Sequence, residues 1–208
     1  MTDILAGYAA ALLGIGWAFR SRWANFWVRM TLATGGLGLY ALAVRPKLRQ
    51  VRPTGRDALA GVLSAAGLYA VFQIGDRVAR QVVPKGASEI ESIYALRGHA
   101  PRWLIALLLA GVIAPGEELF WRGLLQASLA ERWGSRRGTV ITSACYAAVH
   151  LASGNLTLTG AAATAGVFWG VQYALLRRLA SNIVSHVLWD IWIFLVAPTP
   201  GAHRDPRA

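Results

Sequence analysis

The chain has 208 residues, which is the length of a single domain. Hydrophobic residues make up 55% of it and charged residues only 15%, and the mean hydropathy is +0.43. A soluble domain carries about 25% charged residues, so the composition excludes an ordinary soluble protein and points to lipid as the solvent. The net charge is +11, but the basic residues lie between apolar stretches and form no basic helix, so we do not expect nucleic acid binding.

Seven apolar stretches follow one another, each near the length that crosses a bilayer of about 30 Å. They show no strand-like alternation, and backbone in lipid must satisfy its own hydrogen bonds, so we expect helices. The sequence predicts an all-α, polytopic transmembrane bundle of about seven helices. The stretches are residues 4–19, 23–44, 57–75, 103–130, 138–154, 158–176 and 180–197.

The first stretch has no basic residue before it and no small-residue cleavage site, so we interpret it as a retained helix rather than a signal peptide. Residues 45–56 form a short linker with five basic residues and no acid, which favours an N-terminus on the cytoplasmic side. The long linker 76–102 is expected to expose Asp76 and His99, and Asp57 is expected to cap the third helix. His203 is expected to be solvated in the tail.

The fourth stretch is interrupted at membrane depth. Pro115 and Gly116 follow a wholly apolar run and immediately precede two acids, Glu117 and Glu118. Proline either kinks a helix or begins a new one, so we expect a discontinuity here.

Six ionisable residues lie inside the predicted helices. Each costs about 2.5–3.5 kcal/mol at a helix centre, so they are expected to face one another around a buried polar cavity and to serve a function. These residues are Glu117, Glu118, Arg122, His150, His186 and Asp190.

Helical spacing supports this convergence. Glu118 and Arg122 are four residues apart and can pair, whereas Glu117 is turned about 100° away. Two other helices carry polar stripes at steps of three and four, so three helices are expected to share one polar centre, with Trp121 and Trp189 walling it. The stripes are Thr139, Ser143, Tyr146 and His150 on one helix, and Asn182, His186 and Asp190 on the other.

This centre suits two kinds of hydrolytic chemistry. Glu117, His150 and His186 are a recognisable ligand set for one catalytic zinc ion. Without a metal, a buried glutamate can act as general base on water while the histidines steady the oxyanion. In either case we expect Glu117 within hydrogen-bond or one-water reach of both histidines.

Three motifs in this half of the chain resemble those of a known family. Glu117-Glu118-x-x-x-Arg122 is similar to the first signature of the CPBP family, which contains the type II CAAX prenyl endopeptidases and the Abi-type membrane proteases. Tyr146-x-x-x-His150 resembles its Phe-x-x-x-His signature with tyrosine for phenylalanine, and His186-x-x-x-Asp190 resembles the third. All three lie in order on separate apolar segments.

The resemblance implies an intramembrane endopeptidase of the CAAX or bacteriocin-processing kind, acting on a membrane-associated protein or peptide. It implies that Glu117 activates water, that His150 and His186 complete the centre, that Asp190 assists His186, and that Glu118 and Arg122 support it. Family members are named metalloproteases, although a metal-free mechanism is also argued. We accordingly expect N-terminal helices in residues 1–102, a catalytic core in 103–197, a polar tail in 198–208, and residence in the plasma membrane of a bacterium.

Two other functions stay open at this stage. An ion-coupled transporter would use the acids and histidines as a relay, but the chain shows no inverted repeat. A non-catalytic membrane adaptor or immunity protein of the same fold would not need Glu117, His150 and His186 together. A site-2-type zinc protease is disfavoured because the chain contains no HExxH.

Overall fold

The computed structural model describes residues 1–199, and within them it contains helices and no strand. The predicted all-α bundle is confirmed. His203 and most of the predicted tail lie outside the described residues. The eight principal helices are α1 (Thr2–Arg20), α2 (Phe26–Val44), α3 (Gly55–Val82), α4 (Gly86–Ala95), α5 (Arg102–Trp133), α6 (Ser135–His150), α7 (Leu156–Leu176) and α8 (Leu179–Val196).

Five of these helices, α1, α2, α3, α5 and α8, are long and apolar enough to cross a membrane. The prediction of about seven spans was therefore slightly high. The difference lies in α6 and α7. Helix α6 has only 16 residues and begins with Ser135, Arg136 and Arg137, and α7 has 21 residues in which threonine, glycine and Gln172 dilute the apolar side chains.

Side-chain caps determine where three of the helices begin. The Asn25 carboxamide accepts from the Val28 amide at the start of α2, and Asn155 does the same for Leu158 in α7. At α3, Thr54 and Asp57 form a reciprocal capping box, which confirms that Asp57 is a cap residue. Each cap satisfies amide groups that the first turn of a helix leaves without partners.

The third helix is longer than predicted, and Asp76 is not a loop residue. Helix α3 continues to Val82, and Asp76 lies inside it, 8% exposed. Its carboxylate pairs with Arg80, one turn further on, at 3.0 Å. This pair stabilises as helix a charged stretch that the sequence analysis assigned to a linker. His99, as predicted, is exposed, in a short 3₁₀ turn after α4.

Helix α5 absorbs Pro115 without ending. The segments Leu109–Ile113 and Leu119–Gln126 are π-helical, and a short α-helical segment, Ala114–Glu118, lies between them. The predicted discontinuity is therefore a change of helix type rather than a break. The wider π turn accommodates the proline, which has no N–H to donate to the preceding turn.

Glycine allows α5 to lie directly on α2. A Cβ at Gly116 would stand 2.4 Å from the Thr34 carbonyl oxygen, so no larger residue fits beside Glu117. At the other end, Gly134 has φ +84° and turns the chain from α5 into α6 without a linker.

A buried arginine joins the first two helices. The Arg29 guanidinium, 8% exposed, donates to the carbonyl oxygens of Ala18, Trp23 and Ala24 at 2.9–3.1 Å, near the end of α1 and in the turn that follows. These carbonyls lack intrahelical partners, so the charge in α2 is solvated by the end of α1.

The short helix α4 is fastened to the start of α7. The Glu89 carboxylate accepts from the amides of Leu156 and Thr157 and from the Thr157 hydroxyl, at 2.6–3.3 Å. The same interactions, with the Thr157 hydroxyl first, lower the pKa of Glu89. Helix α4 is therefore held against the start of α7 and does not form a free loop.

Candidate active site

A cavity of about 670 Å³ lies among the helices. Its lining is mostly aliphatic and aromatic, and its polar members include five side chains of α5, α6 and α8. These three helices therefore present polar side chains to one cavity, whereas Thr139, Ser143 and Asn182 of the predicted stripes bond to other helices and do not line it. We call the five side chains the polar wall. Its members are Glu117, Tyr146, His150, His186 and Asp190.

Glu117 is nearly inaccessible to bulk solvent, with 3% of its surface exposed. Its Oε2 accepts a hydrogen bond of 2.7 Å from the Tyr146 hydroxyl. Tyr146 is held in turn by ring contacts with Trp121 (centroids 5.1 Å apart) and with His150 (4.8 Å). The carboxylate is thus fixed in direction but retains acceptor capacity for a further ligand.

Glu118, the adjacent acid, has entirely different partners. Its Oε1 accepts from Arg122 Nη1 at 2.7 Å, which is the predicted pair, and it also lies 2.9 Å from His186 Nδ1. Both residues of the pair are buried, at 0% and 1% exposure. Glu118 therefore ties α5 to α8 through the histidine and is more than a partner for Arg122.

His186 is held on three sides. Besides Glu118 at Nδ1, its Nε2 faces Asp190 Oδ2 at 3.6 Å, one turn along α8. The ring stacks on the indole of Trp169 with centroids 3.8 Å apart and an interplanar angle of 27°. This arrangement leaves His186 little freedom to rotate.

His150 is oriented by its own helix. Its Nδ1 lies 2.7 Å from the Tyr146 carbonyl oxygen, and since a carbonyl only accepts, Nδ1 carries the proton. Nε2 is then the atom left to interact with a ligand in the cavity, and no partner for it is found within residues 1–199. The Phe19 ring packs edge-on against the imidazole at 6.0 Å.

Direct contacts divide the wall into two groups. Glu117 bonds to Tyr146, and His186 bonds to Glu118; over the described part of the chain, no direct hydrogen bond joins Glu117 to either histidine. Contact through one water molecule stays a prediction. The expected separation of the two adjacent acids into different environments is present.

The residues of the proposed zinc set do not fit a metal ion as they are arranged. His186 has a carboxylate beside each ring nitrogen, at 2.9 and 3.6 Å, whereas His150 keeps Nε2 free, as a zinc-bound histidine does. Between residues 1 and 199, no three His, Cys, Asp or Glu side chains are grouped so that they could hold a metal ion.

The tryptophans differ from expectation at one position. Trp189 lines the cavity as predicted and packs on Phe72 at 4.6 Å. Trp121 is fully buried behind Tyr146 and does not line it. Trp169, which the sequence analysis did not single out, lines the cavity and stacks on the His186 ring. It lies in an apolar helix with no neighbouring charge, so only the fold reveals its contact.

Comparison with known families agrees with the motifs. Residues 99–192 match the family model described as type II CAAX prenyl endopeptidase Rce1-like. That segment is similar to this family. It covers slightly less than half of the chain, includes all three motifs, and confirms the resemblance drawn from them. Comparisons with curated proteins and with solved structures found no match.

The family match and the fold agree on the class of the protein. Helices of spanning length and composition indicate an integral membrane protein, and residues 99–192 are similar to CAAX-type proteases. All five residues of the polar wall lie within this segment, and the rest of the cavity lining also includes residues before and after it.

Proposed function

We propose that the protein is an intramembrane endopeptidase in which a water molecule activated by Glu117 hydrolyses a peptide bond. The observation that carries the proposal is the position of Glu117: a buried carboxylate with one hydrogen-bond partner, on the polar wall of a largely apolar cavity, in company with two histidines. A carboxylate so placed is poised to bind and deprotonate water.

The reaction follows from the chain's own groups. Glu117 takes a proton from water as the water oxygen bonds to the substrate carbonyl carbon, and negative charge develops on the carbonyl oxygen. His186, and His150 as the imidazolium that carries a second proton on Nε2, stabilise that oxyanion. The carbon–nitrogen bond then breaks, and Glu117 returns the proton to the leaving amine, so the glutamate ends as it began.

Four further side chains hold this arrangement in place. Asp190 and Glu118 flank the two nitrogens of His186, and Arg122 balances the charge of Glu118. We assign Asp190 to the oxyanion side with His186, and Glu118 and Arg122 to support. Tyr146 fixes the direction in which Glu117 presents its free lone pairs.

The substrate class follows from the cavity and the family. The lining outside the polar wall is chiefly apolar, which suits an apolar peptide or a lipid-modified peptide. The Rce1-like match favours CAAX-type processing, and peptide processing of the bacteriocin kind uses the same chemistry. We place the protein in the plasma membrane of a bacterium, with a membrane-associated protein or peptide as its substrate.

The test is a cleavage assay in proteoliposomes with two fluorogenic peptides, one carrying an isoprenylated CAAX terminus and one unmodified. Glu117→Gln should lower the cleavage rate by about 10²–10⁴-fold, the usual contribution of a general base, and leave the unfolding midpoint unchanged. The matched control is Glu91→Gln, an exposed glutamate on α4, which should cleave at the wild-type rate.

Cleavage by Glu117→Gln at the wild-type rate would exclude this glutamate as the base. If neither peptide is cleaved, termini in membrane proteomes of cells with and without the protein should be compared for a Glu117-dependent shift. A protein that shifts no terminus would be a transporter if Glu117→Gln impairs its ion transport, or an adaptor if Glu117→Gln binds a partner as well as the wild type does.

A further inference from the structure

A second polar patch lines the same cavity, apart from the polar wall. It is formed by Asp76 of α3, Tyr94 of α4 and Thr199, which follows α8. The hydrogen bonds within residues 1–199 join these three groups to one another and none of them to the polar wall. The patch is buried: Asp76 and Tyr94 are each 8% exposed and Thr199 is 3% exposed.

The peptide Ala197–Thr199 is bound at this patch through its backbone as well as its side chain. The Tyr69 hydroxyl donates to the Ala197 carbonyl oxygen at 3.1 Å, and the Thr199 amide donates to the Tyr94 hydroxyl at 3.2 Å. The Thr199 hydroxyl donates to Asp76 Oδ1 at 2.8 Å. A non-helical segment after α8 is therefore recognised by side chains of α3 and α4.

The groups that bind this segment are fixed by other contacts. Arg80 holds the second oxygen of Asp76 at 3.0 Å and balances its charge, and the Tyr94 ring stacks on Phe194 with centroids 5.7 Å apart. The carbonyl oxygen of Ala197 and the amide and hydroxyl of Thr199 each have a hydrogen-bond partner on α3 or α4. Such an arrangement binds a peptide backbone with little further ordering.

We propose that Asp76 and Tyr94 on the cavity lining, together with Tyr69, form a peptide-binding subsite, and that the chain's own Ala197–Thr199 occupies it. Its ligand class is an uncharged, non-helical peptide segment with a hydroxyl-bearing residue opposite Asp76. This rests on the proposed function, because a substrate that enters the cavity to reach the polar wall takes the place of the bound segment. The segment therefore competes with substrate, and its release opens the subsite.

The experiment measures access to the cavity directly. The chain's single cysteine is removed with Cys145→Ala, and Ile93→Cys places a thiol on the cavity lining beside Tyr94. Maleimide labelling is then timed in Thr199→Val and in Thr199→Val with Tyr94→Phe. Thr199→Val loses the 2.8 Å bond to Asp76 and should label at least about five-fold faster; the double variant also loses the 3.2 Å bond of the Thr199 amide and should label at least about 25-fold faster. The control Tyr40→Phe removes a phenol bond to the main chain of Asp3 and should change nothing.

A peptide competition then separates a subsite from a simple anchor. In Thr199→Val, where Tyr69, Asp76 and Tyr94 are intact, acetyl-Ala-Pro-Thr-amide should slow labelling, and acetyl-Ala-Pro-Val-amide should slow it less. Labelling that stays at the wild-type rate in both variants, or that neither peptide slows, overturns the subsite. The same result is expected with Glu117→Gln present, because labelling needs no catalysis. Protection by peptide in a protein without peptidase activity would keep the subsite and overturn the proposed function instead.

Discussion

Removing Arg122 tests whether the charge of Glu118 depends on it. The two side chains are 1% and 0% exposed and 2.7 Å apart, so water cannot replace the guanidinium when Arg122→Ala is made. Breaking a buried pair of this kind costs about 3–5 kcal/mol because the remaining charge is left without compensation. The folded-to-unfolded ratio should fall by about 10²–10³-fold or more.

Two further losses accompany this change and act in the same direction. Arg122 also donates to the Gly166 carbonyl oxygen at 3.3 Å, and its guanidinium lies 5.5 Å from the centre of the Trp169 ring. The His186 contact with Glu118 remains and offsets part of the loss. We therefore expect a destabilisation within the 3–5 kcal/mol range rather than above it.

The assay is the unfolding midpoint in mixed micelles titrated with a denaturing detergent, together with the yield of folded protein. The exposed Arg137→Ala is the matched control and should lie within about 0.5 kcal/mol of wild type. Glu118→Gln combined with Arg122→Met removes both charges and should recover most of the stability. Arg122→Ala as stable as Arg137→Ala would mean that Glu118 needs no cationic partner, and the reasoning would be wrong.

Three other outcomes are expected. Tyr146→Phe removes the hydroxyl that orients Glu117 and should lower kcat about ten-fold while costing only about 1 kcal/mol of stability; an unchanged kcat would exclude that orienting role. Because the pKa of Glu89 is lowered in the folded protein, its contribution to stability is complete above the unfolded value of about 4.3 and is lost as the pH falls below it. The protection factor of the Thr157 amide against exchange should therefore fall under acid, but not in Glu89→Gln. Since the donor atoms do not fit a metal, chelators should leave the cleavage rate unchanged, and stoichiometric zinc that is lost in His186→Ala would contradict this.

The polar wall was predictable because charge in an apolar helix is conspicuous. Glu117, His150 and His186 stand out from their surroundings, and steps of three and four place each on a definite helix face. Spacing within one helix cannot, however, say which acid meets which histidine on another. The pairing of Glu118 with His186 depends on how α5 and α8 cross, and that crossing is set by packing.

Other features left no local signal or a misleading one. Trp169 lies among alanine, glycine and valine, where an aromatic residue is expected to face lipid or pack in the core. Asp76 reads as a linker residue because charged residues follow an apolar run. Only Arg80 one turn later and the distant Thr199 explain its burial in α3. Contacts between distant parts of the chain therefore account for most of what the sequence did not predict.

Two adjacent glutamates serve this site because a helix turns by about 100° per residue. The Glu118 carboxylate is completely buried, and its Oε1 is bound by Arg122 and His186. It is therefore not placed to transfer a proton to a substrate. The other, Glu117, has a single partner and opens on the cavity. A single acid could not both lock α5 to α8 and remain free to bind water, so the tandem pair separates support from reactivity. Exchanging their roles would require α5 to rotate by that angle, which the contact of Gly116 with the main chain of Thr34 prevents.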